Sequence, residues 1–339
     1  MSLLATSKTR FAGTAAAGVA TLAALALGNH LMARRTERRH PPQGAFLEVD
    51  GVQLHYSDQG KGRPIVLIHG NAVSGDDWNT SGVVELLLRS HRVIIFDRPG
   101  FGYSERPRGH LWTAAQQAEL LHKALRQLGI ERPVVVGHSW GAIVALALAE
   151  HHQAEVAGLV LLSGYYFWTL RPDTLLVIAG ALPLVGDVLR YTILPLLGWL
   201  QMPLLKWVMF SPARVPARFQ AEYSPGMALR PSQIRATSVD GALMIPGALA
   251  LRRDYKELTL PVVIIAGDGD KVVFRSRSEQ LRDSIPGSVL QIVKGAGHMV
   301  HHLAAQQVSR AIESVAEAAG VNGSSRGFQA SHTRPAAAA

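Results

Sequence analysis

From residue 45 onwards, short apolar runs alternate with segments in which apolar residues recur at helical spacing. Runs rich in valine, isoleucine and leucine predict strands that are buried on both faces. These runs are residues 46–49, 53–56, 65–69, 93–97, 134–136, 159–163, 262–266 and 289–293. The helical segments are residues 83–88, 114–128, 142–151, 277–284 and 304–318. The alternation predicts an α/β domain built on a largely parallel sheet.

One long interval interrupts this alternation. Residues 164–258 contain no clear strand pattern, which predicts a helical insertion that we call the cap. The core would then comprise residues 45–163 and 259–318. Residues 319–339 are rich in glycine, serine and alanine and predict a disordered tail.

The N-terminal segment, residues 1–44, differs from the rest of the chain. Phe11 to Leu27 is a run of 17 residues without a charge, and it is followed by arginines at positions 34, 35, 38 and 39. A membrane-spanning helix needs about 20 apolar residues, so the run is marginal. A cleaved signal peptide is the alternative, but the basic cluster directly after the run favours an uncleaved anchor. Two basic residues before the run and four after it favour a cytoplasmic catalytic domain.

The net charge of +9 does not indicate a nucleic-acid-binding protein. Residues 1–40 carry six basic side chains and one acidic side chain, so more than half of the excess lies in the N-terminal segment. The remaining charge is spread thinly, without the basic and aromatic clustering of a nucleic-acid groove. The chain has no cysteine, which excludes disulfides and thiolate metal sites.

A glycine-flanked serine follows the apolar run 134–136. The sequence Gly137-His-Ser-Trp-Gly141 has the G-x-S-x-G spacing of a nucleophile elbow, in which a strand ends, the serine occupies a strained turn and a helix begins at once. The pattern alone is weak, because glycine and serine are common. Its context supports it, since a valine run precedes Ser139 and an alanine-rich helical run follows. An ordinary turn serine is the alternative.

A serine nucleophile needs a histidine base and an acid, which follow later in the chain in the order Ser, Asp, His. His298 lies in a glycine-rich loop after the last predicted strand, where it could reach Ser139. Asp270 lies beyond the strand 262–266 and is the candidate acid, with Asp268 as its competitor. We expect His298 to accept the proton of Ser139 and Asp270 to orient the imidazole.

Three other histidines lie close to these positions in the sequence. His138 precedes the serine, and a position that packs beneath the site is the simpler expectation for it. His301 and His302 begin the final helical segment, where a solvated face is expected.

Acyl transfer also requires donors for the developing oxyanion. The backbone NH of Trp140, directly after the serine, is one candidate. The other is the NH of Asn71, in the loop His69-Gly-Asn-Ala72 that follows the strand 65–69.

Together these motifs resemble the α/β-hydrolase family over residues 45–318. The loop Asp97-Arg-Pro-Gly-Phe-Gly-Tyr-Ser104 also resembles the loop after the fourth strand of that family. The resemblance implies an eight-stranded, mostly parallel sheet with helices on both faces, and a cap inserted after the sixth strand. It places the acid in a G-x-x-D pattern, here Gly267 to Asp270. It implies no metal and no organic cofactor.

Proteins with this fold catalyse several different reactions, so the residues of the site have to distinguish among them. Haloalkane dehalogenases and epoxide hydrolases of the family use an aspartate nucleophile, and position 139 is serine. Proline iminopeptidases are similar at Ser139-Trp140-Gly141, but they expect glycine where His138 stands and acidic residues in the cap. Carbon-carbon bond hydrolases and cofactor-free haloperoxidases share the triad and stay open. A binding or accessory protein that keeps the fold without turnover is the alternative from another class.

The composition of the cap indicates the substrate class. Residues 174–210 comprise 37 residues with only three charges, Asp187, Arg190 and Lys206. A lid this apolar above a triad predicts an ester with an apolar acyl or alcohol group, as in carboxylesterases and lipases. The candidate pocket residues are aromatic: Trp140, Tyr165, Tyr166, Phe167 and Trp168. The sequence leaves the oligomeric state open.

Overall fold

Eight strands form one sheet in the computed structural model, which describes residues 2–168, 178–251 and 255–330. The order in the sheet is β1-β2-β4-β3-β5-β6-β7-β8, and only the pairs that involve β2 are antiparallel. The strands are β1 (Ala45–Val49), β2 (Val52–Gly60), β3 (Arg63–Ile68), β4 (His91–Phe96), β5 (Val134–His138), β6 (Gly158–Leu162), β7 (Val262–Gly267) and β8 (Val289–Val293). The predicted eight-stranded, mostly parallel sheet is confirmed.

The helices comprise one before the sheet, those that pack on its two faces, and those of the cap between β6 and β7. The N-terminal and core helices are α1 (Ser2–Arg39), α2 (Asp76–Ser81), α3 (Val83–Leu87), α4 (Ala114–Gln127), α5 (Trp140–His151), α11 (Arg275–Ser284), α12 (Val300–Leu303) and α13 (Ala305–Ala330). The cap helices are α6 (Val185–Tyr191), α7 (Ile193–Phe210), α8 (Ala217–Glu222), α9 (Pro225–Ala228) and α10 (Pro231–Leu251). Short 3₁₀ turns occur at Gln153–Glu155, Ala179–Ala181 and Tyr255–Glu257.

Both faces of the sheet are buried because successive side chains of a strand point to opposite sides. In β5, Val135 packs into the cluster that contains α4 and α5, whereas Val134 and Val136 pack into the cluster that contains α3 and α13. The apolar run at residues 134–136, which predicted burial on both faces, therefore has a direct structural cause.

The cap differs from the core in having no strand among its described residues. Residues 169–177 and 252–254 of the predicted cap lie outside the described part of the chain. Its longest helix, α10, contacts α5, the helix that follows Ser139. The cap is therefore positioned over the carboxyl ends of the parallel strands.

The first helix is longer than the apolar run that predicted it. α1 is continuous over 38 residues and includes the arginine cluster. Its residues 13–24 are exposed, and its contact with the cap begins near Asn29, which is buried. By length and composition, residues 13–39 could cross a membrane, and so could α7 and α10.

The last helix also extends beyond its predicted end. α13 continues to Ala330 and so occupies residues 319–330, which the sequence predicted to be disordered. Its first half is fixed by the buried residues Val308, Ile312 and Val315. Extending a helix that is already nucleated costs little per residue, which explains the difference. Residues 331–339 of the predicted tail lie outside the described residues.

A buried arginine joins three parts of the fold. The Arg98 side chain is fully buried after β4, and its Nε and Nη2 donate to the carbonyls of His69 (2.9 Å) and Gly70 (3.0 Å). Its Nη1 donates to Gln117 of α4 (2.9 Å) and to the carboxylate of Asp240 of α10 (2.6 Å). Burial lowers the pKa of Arg98 to about 10, so the guanidinium is charged at neutral pH. It therefore ties the cap to the core with a compensated charge.

A buried carboxylate fixes the short helix α12. Asp77 of α2 lies 2.8 Å from Nε2 of His301 and 2.9 Å from Nε2 of His302. The side chains of both histidines are at most 1% exposed. The expected solvated face for these two histidines is thus wrong, because both rings are buried and a carboxylate from a distant part of the chain pairs with Nε2 of each. Burial lowers the pKa of His301 to about 4, against the opposing charge of Asp77.

We expect Asp240→Ala to lower the free energy of unfolding by about 3–5 kcal/mol, because it leaves the buried Arg98 without its counter-ion. The matched control is Asp58→Ala, which breaks an exposed ion pair with Arg92 (2.6 Å) and should cost at most about 1 kcal/mol. Chemical denaturation of the full chain in mild detergent measures both. Equal losses in the two variants would contradict the role assigned to Arg98.

We also expect the free energy of unfolding to fall as the pH decreases from about 6.5 to about 4. Burial lowers the pKa of His69 and His301 to about 4, and that of His138 well below the usual value. In this interval the unfolded chain binds protons that the native chain does not, so stability rises with pH. Each ring contributes up to about 1.4 kcal/mol per pH unit.

Denaturation of the wild type and of His301→Gln across this interval measures the effect. The variant should show a shallower dependence by up to one proton, since it retains a donor toward Asp77 but lacks the titrating ring. His110→Gln, at an exposed histidine, should keep the wild-type dependence. An unchanged slope in His301→Gln would mean that this ring is already protonated in the native state.

Candidate active site

Ser139 occupies a strained turn between β5 and α5. Its φ and ψ are 52° and −115°, a region that residues other than glycine rarely adopt, and its NH donates to the carbonyl of Leu162 (2.9 Å). The flanking glycines are required by space. A Cβ at Gly137 would lie 2.5 Å from the carbonyl oxygen of Gly141, and one at Gly141 would lie 2.3 Å from that of Ile68. The turn predicted from the motif is therefore present, with the serine partly accessible.

The structure brings His298 and Asp270 together. Nδ1 of His298 lies 2.9 Å from Oδ2 of Asp270, and both side chains are buried. The other carboxylate oxygen of Asp270 accepts the backbone NH groups of Val272 (2.8 Å) and Val273 (2.9 Å). These three hydrogen bonds fix the carboxylate and orient the imidazole, so that Nε2 of His298 is left for another partner.

The competing aspartate has a different environment. Asp268 is exposed, and its Oδ1 accepts the NH of Gly295 at 2.8 Å. It therefore stabilises the loop that carries His298 without contacting the ring. Of the two aspartates in the predicted motif, the geometry favours Asp270 as the partner of the histidine.

Two hydrogen bonds to the backbone of His298 place its loop against the serine turn and the cap. The Nε2 of His138, the residue before Ser139, lies 3.2 Å from the carbonyl oxygen of His298. From the other side, the NH of His298 donates to the carbonyl of Met209, the penultimate residue of α7 (2.8 Å). His138 is buried beneath the site, with its ring centre 4.4 Å from that of His301, as expected for a packing residue.

The loop after β3 lies beside the serine. A Cβ built on Gly70 would be 2.9 Å from Nδ1 of His138 and 3.1 Å from the Cβ of Ser139, so a larger residue here would require these side chains to shift. Asn71 follows, and its side chain accepts the NH of Ala72 (3.0 Å) and donates to the carbonyl of Thr237 in the cap (3.1 Å). Within the described residues, neither Asn71 nor Trp140 uses its backbone NH in a hydrogen bond. Both amides are thus available to a ligand.

The aromatic residues predicted to line a pocket are buried. Trp140, Tyr165, Tyr166 and Phe167 are at most 7% exposed and belong to the main hydrophobic cluster. The Trp140 ring approaches α10 at Gly247. Trp168, by contrast, is 48% exposed. Packing accounts for the four buried rings in this state, and contact with a substrate stays a prediction for them.

A cavity of about 270 Å³ lies on the far side of the loop after β3. The end of α1 and its linker, the cap and the core enclose it together. Its lining extends to Ala72 but does not include Ser139. Two buried polar residues there, His55 and Asp97, pair at 2.7 Å, and the Asp97 carboxylate also accepts the NH of Gly75 (2.7 Å). No sequence motif indicated a role for either residue, although Asp97 begins the loop that resembles the family pattern.

Two groups of side chains have the composition of metal ligands. They are Asp77, His138 and His301, and Glu119, His122 and His152. In the first group, Asp77 already accepts from His301, and in the second Glu119 lies 2.9 Å from Nε2 of His152. Hydrogen bonds within the protein therefore account for one pair in each group, whereas Nδ1 of His138, His301 and His122 has no hydrogen-bond partner among the described residues.

Comparison with known proteins agrees with this geometry. Residues 63–183 match the family model of the alpha/beta hydrolase fold. Haloalkane dehalogenase 2 of Mycobacterium tuberculosis is 26% identical over 291 residues, which cover 80% of this chain and 94% of that protein. The 2-hydroxymuconate semialdehyde hydrolase of Pseudomonas putida is 28% identical over 281 residues, which cover 81% and 95%.

Among solved structures, a membrane phospholipase A described as a bacterial virulence factor superposes with a TM-score of 0.62. The identity is 21%, and the match covers 93% of this chain and 99% of that one. Because the sequence matches extend over about four fifths of the chain and coincide with the observed sheet, the chain has the α/β-hydrolase fold.

Proposed function

We propose that this protein is a membrane-anchored serine hydrolase that cleaves carboxylic esters with an apolar acyl or alcohol group through an acyl-enzyme on Ser139. The contact between His298 and Asp270, on a loop held against the strained serine turn, carries this proposal. The three residues have the order and the roles of a serine-hydrolase triad.

In the proposed reaction, each group acts once during acylation of Ser139 and once during deacylation. Nε2 of His298 accepts the proton of Ser139 as the serine oxygen attacks the ester carbonyl, and the Asp270 carboxylate compensates the positive charge that forms on the His298 imidazolium. The backbone NH groups of Asn71 and Trp140 stabilise the oxyanion. The tetrahedral intermediate expels the alcohol, which takes the proton from His298. Water, deprotonated by the same ring, then releases the acid and regenerates Ser139.

The identity of the nucleophile and the charges of the cap favour ester cleavage over two rivals. A serine at position 139 argues against dehalogenation, which on this fold uses an aspartate nucleophile. A peptidase that binds a substrate amine needs free acids in the cap. Three cap acids are already paired with arginines: Asp187 with Arg108, Asp240 with Arg98 and Glu222 with Arg218. Carbon-carbon bond hydrolysis uses the same triad and is the second candidate, because the Pseudomonas putida relative bears the name of a semialdehyde hydrolase.

We further propose that α1 anchors the protein in a membrane, with the catalytic domain on the cytoplasmic side. Residues 13–24 are exposed and uncharged, and their apolar composition matches that of a membrane-spanning helix. The arginines at the end of α1 favour retention of that end in the cytoplasm. A likeness in fold to a membrane phospholipase is consistent with this proposal.

We expect a fluorophosphonate probe to label Ser139 in the full chain and to label nothing in Ser139→Ala. The matched control is Ser163→Ala. Ser163 directly follows the neighbouring strand β6, is buried and also has a positive φ of 45°. The control therefore tests whether the probe reacts with another strained serine after a strand. Labelling should persist in the control. Folded wild-type protein that resists the probe would refute the nucleophile.

Ester hydrolysis by variants of the two aspartates tests which of them is the catalytic acid. Asp270→Asn should lower kcat by about 10⁴-fold, because the imidazole loses its orienting carboxylate. Asp268→Asn should retain most of the activity, since its carboxylate contacts only a backbone NH. A reversal of these two results would exchange the roles of the aspartates.

We expect activity on p-nitrophenyl esters that increases as the acyl chain becomes longer, because each buried methylene contributes about 0.8 kcal/mol to binding. The panel runs from acetate to palmitate, beside proline amides and a vinylogous diketone that reports carbon-carbon cleavage. If the protein turned over the amides or the diketone but not the esters, the proposed ester hydrolysis would be rejected, whereas the assignment of the triad would stand. Comparable rates for short and long esters would reject the apolar substrate class.

A further inference from the structure

The cap exposes a continuous run of large apolar side chains on α6, α7 and the residues before them. We call this surface the cap face. Each of its members is at least 40% exposed: Leu182, Leu184, Val185, Val188, Tyr191, Ile193, Leu196, Leu197, Trp199, Leu200, Leu204, Leu205 and Trp207. Soluble monomers rarely expose apolar patches larger than a few hundred Å². Thirteen neighbouring residues of this kind indicate a surface that is covered in use.

The cap face has little charge that would interfere with an apolar partner. Lys206 is the one charged residue of α7, and its Nζ is directed toward the rings of Phe219 (5.8 Å) and Tyr223 (5.3 Å). At the C-terminal end of the helix, Nζ of Lys271 lies 4.2 Å from the ring centre of Trp207. A tryptophan beside a basic group is typical of the boundary between lipid and water.

α7 is held along its whole length by the folded domain. Pro195, Met202 and Phe210 are buried, so one stripe of the helix faces the protein from its first turn to its last. The ring of Phe210 packs against Phe219 and His302. A helix fixed in this way cannot cross a bilayer as an isolated span, although its length and composition would allow it. Its exposed face can therefore lie on a bilayer but cannot be part of an isolated span.

The cap face begins where α1 leaves the folded domain. The Nδ2 of Asn29 donates to the carbonyls of Tyr191 and Thr192 (both 2.8 Å), and Ile193 then begins α7. On the C-terminal side of this point α1 stays attached to the cap, where Glu37 pairs with Arg230 at 3.0 Å. Residues 13–24, on the N-terminal side, are exposed. The two apolar surfaces are therefore adjacent.

We propose that the cap face docks on the bilayer that α1 enters, with α7 lying in the interfacial layer. The inference rests on the proposed anchor, because a bilayer that receives α1 at Asn29 meets the cap at the first residues of α7. Interfacial helices of this kind insert an apolar face into the boundary of headgroups and acyl chains. A lipid surface accounts for the size of the patch, its lack of charge and its position at the exit of α1.

Docking would connect the bilayer directly to the active site. Met209, near the end of α7, accepts the NH groups of His298 (2.8 Å) and Met299 (3.3 Å). The helix that rests on lipid thus holds the loop of the proposed catalytic histidine. The substrates that reach such a site are esters dissolved in the membrane, which narrows the proposed substrate class to lipid esters.

The absence of cysteine allows a direct test, because a single introduced cysteine labels one position. The full chain carries an environment-sensitive fluorophore at Leu200→Cys on the cap face (78% exposed), at Val19→Cys on α1 (68%) or at Val289→Cys (52%). Val289 begins β8, at the end of the sheet opposite to the site, and is the matched exposed control. Each protein is reconstituted at low density into phosphatidylcholine vesicles with brominated acyl chains. Thermal unfolding verifies that each variant is folded.

We expect bromine to quench the probes at positions 200 and 19 and to leave the probe at 289 unchanged. A second cap-face position, Leu204→Cys, should behave like position 200. If the probe at position 19 were quenched but the probes at positions 200 and 204 were not, the docking surface would be refuted and the anchor would be retained. If none of the three probes were quenched, both proposals would be refuted. A probe at 200 that is shielded from aqueous iodide but not quenched by lipid, with cross-linking between copies, would assign the surface to a second copy. None of these readouts depends on hydrolysis.

Discussion

The buried guanidinium of Arg98 is the interaction on which the arrangement of cap, core and site depends. A fully buried charged side chain is tolerated only when it is hydrogen-bonded and paired with an opposite charge. Arg98 meets this condition by bonding two carbonyls of the loop after β3, a side chain of α4 and Asp240 of the cap. Satisfying one charge therefore holds the candidate oxyanion loop and the cap in a defined relation, because moving the cap away from Arg98 would separate Asp240 from its buried counter-ion.

Steric constraints and backbone hydrogen bonds complete the site around this centre. Glycines at positions 70, 137 and 141 allow three backbone segments to approach the serine turn more closely than a Cβ would permit without a shift of neighbouring atoms. The His298 loop is held between the core and the cap by contacts from His138 and Met209. The serine thus occupies a strained conformation that its surroundings maintain, as expected where a fold stores strain at a functional turn.

Features that depend on local sequence were predictable, and features that depend on distant partners were not. The alternation of strands and helices, the cap and the turn at Ser139 follow from short-range patterns. The environment of His301 and His302 could not be inferred, because their partner Asp77 is more than two hundred residues away in sequence. The same holds for Arg98, whose position after an apolar strand is the only local sign of a buried charge.

The sequence by itself determined the strand periodicity, the glycine-flanked serine, the order of candidate triad residues and the apolar character of the cap. These are properties of neighbouring residues and of composition. Only the tertiary structure decided that Asp270 rather than Asp268 reaches His298, that the aromatic residues near the serine are packed, and that the apolar cap helix is exposed beside the exit of α1. Those outcomes depend on which surfaces of distant elements meet, and a linear pattern of apolar residues specifies that a face is to be covered without specifying what covers it.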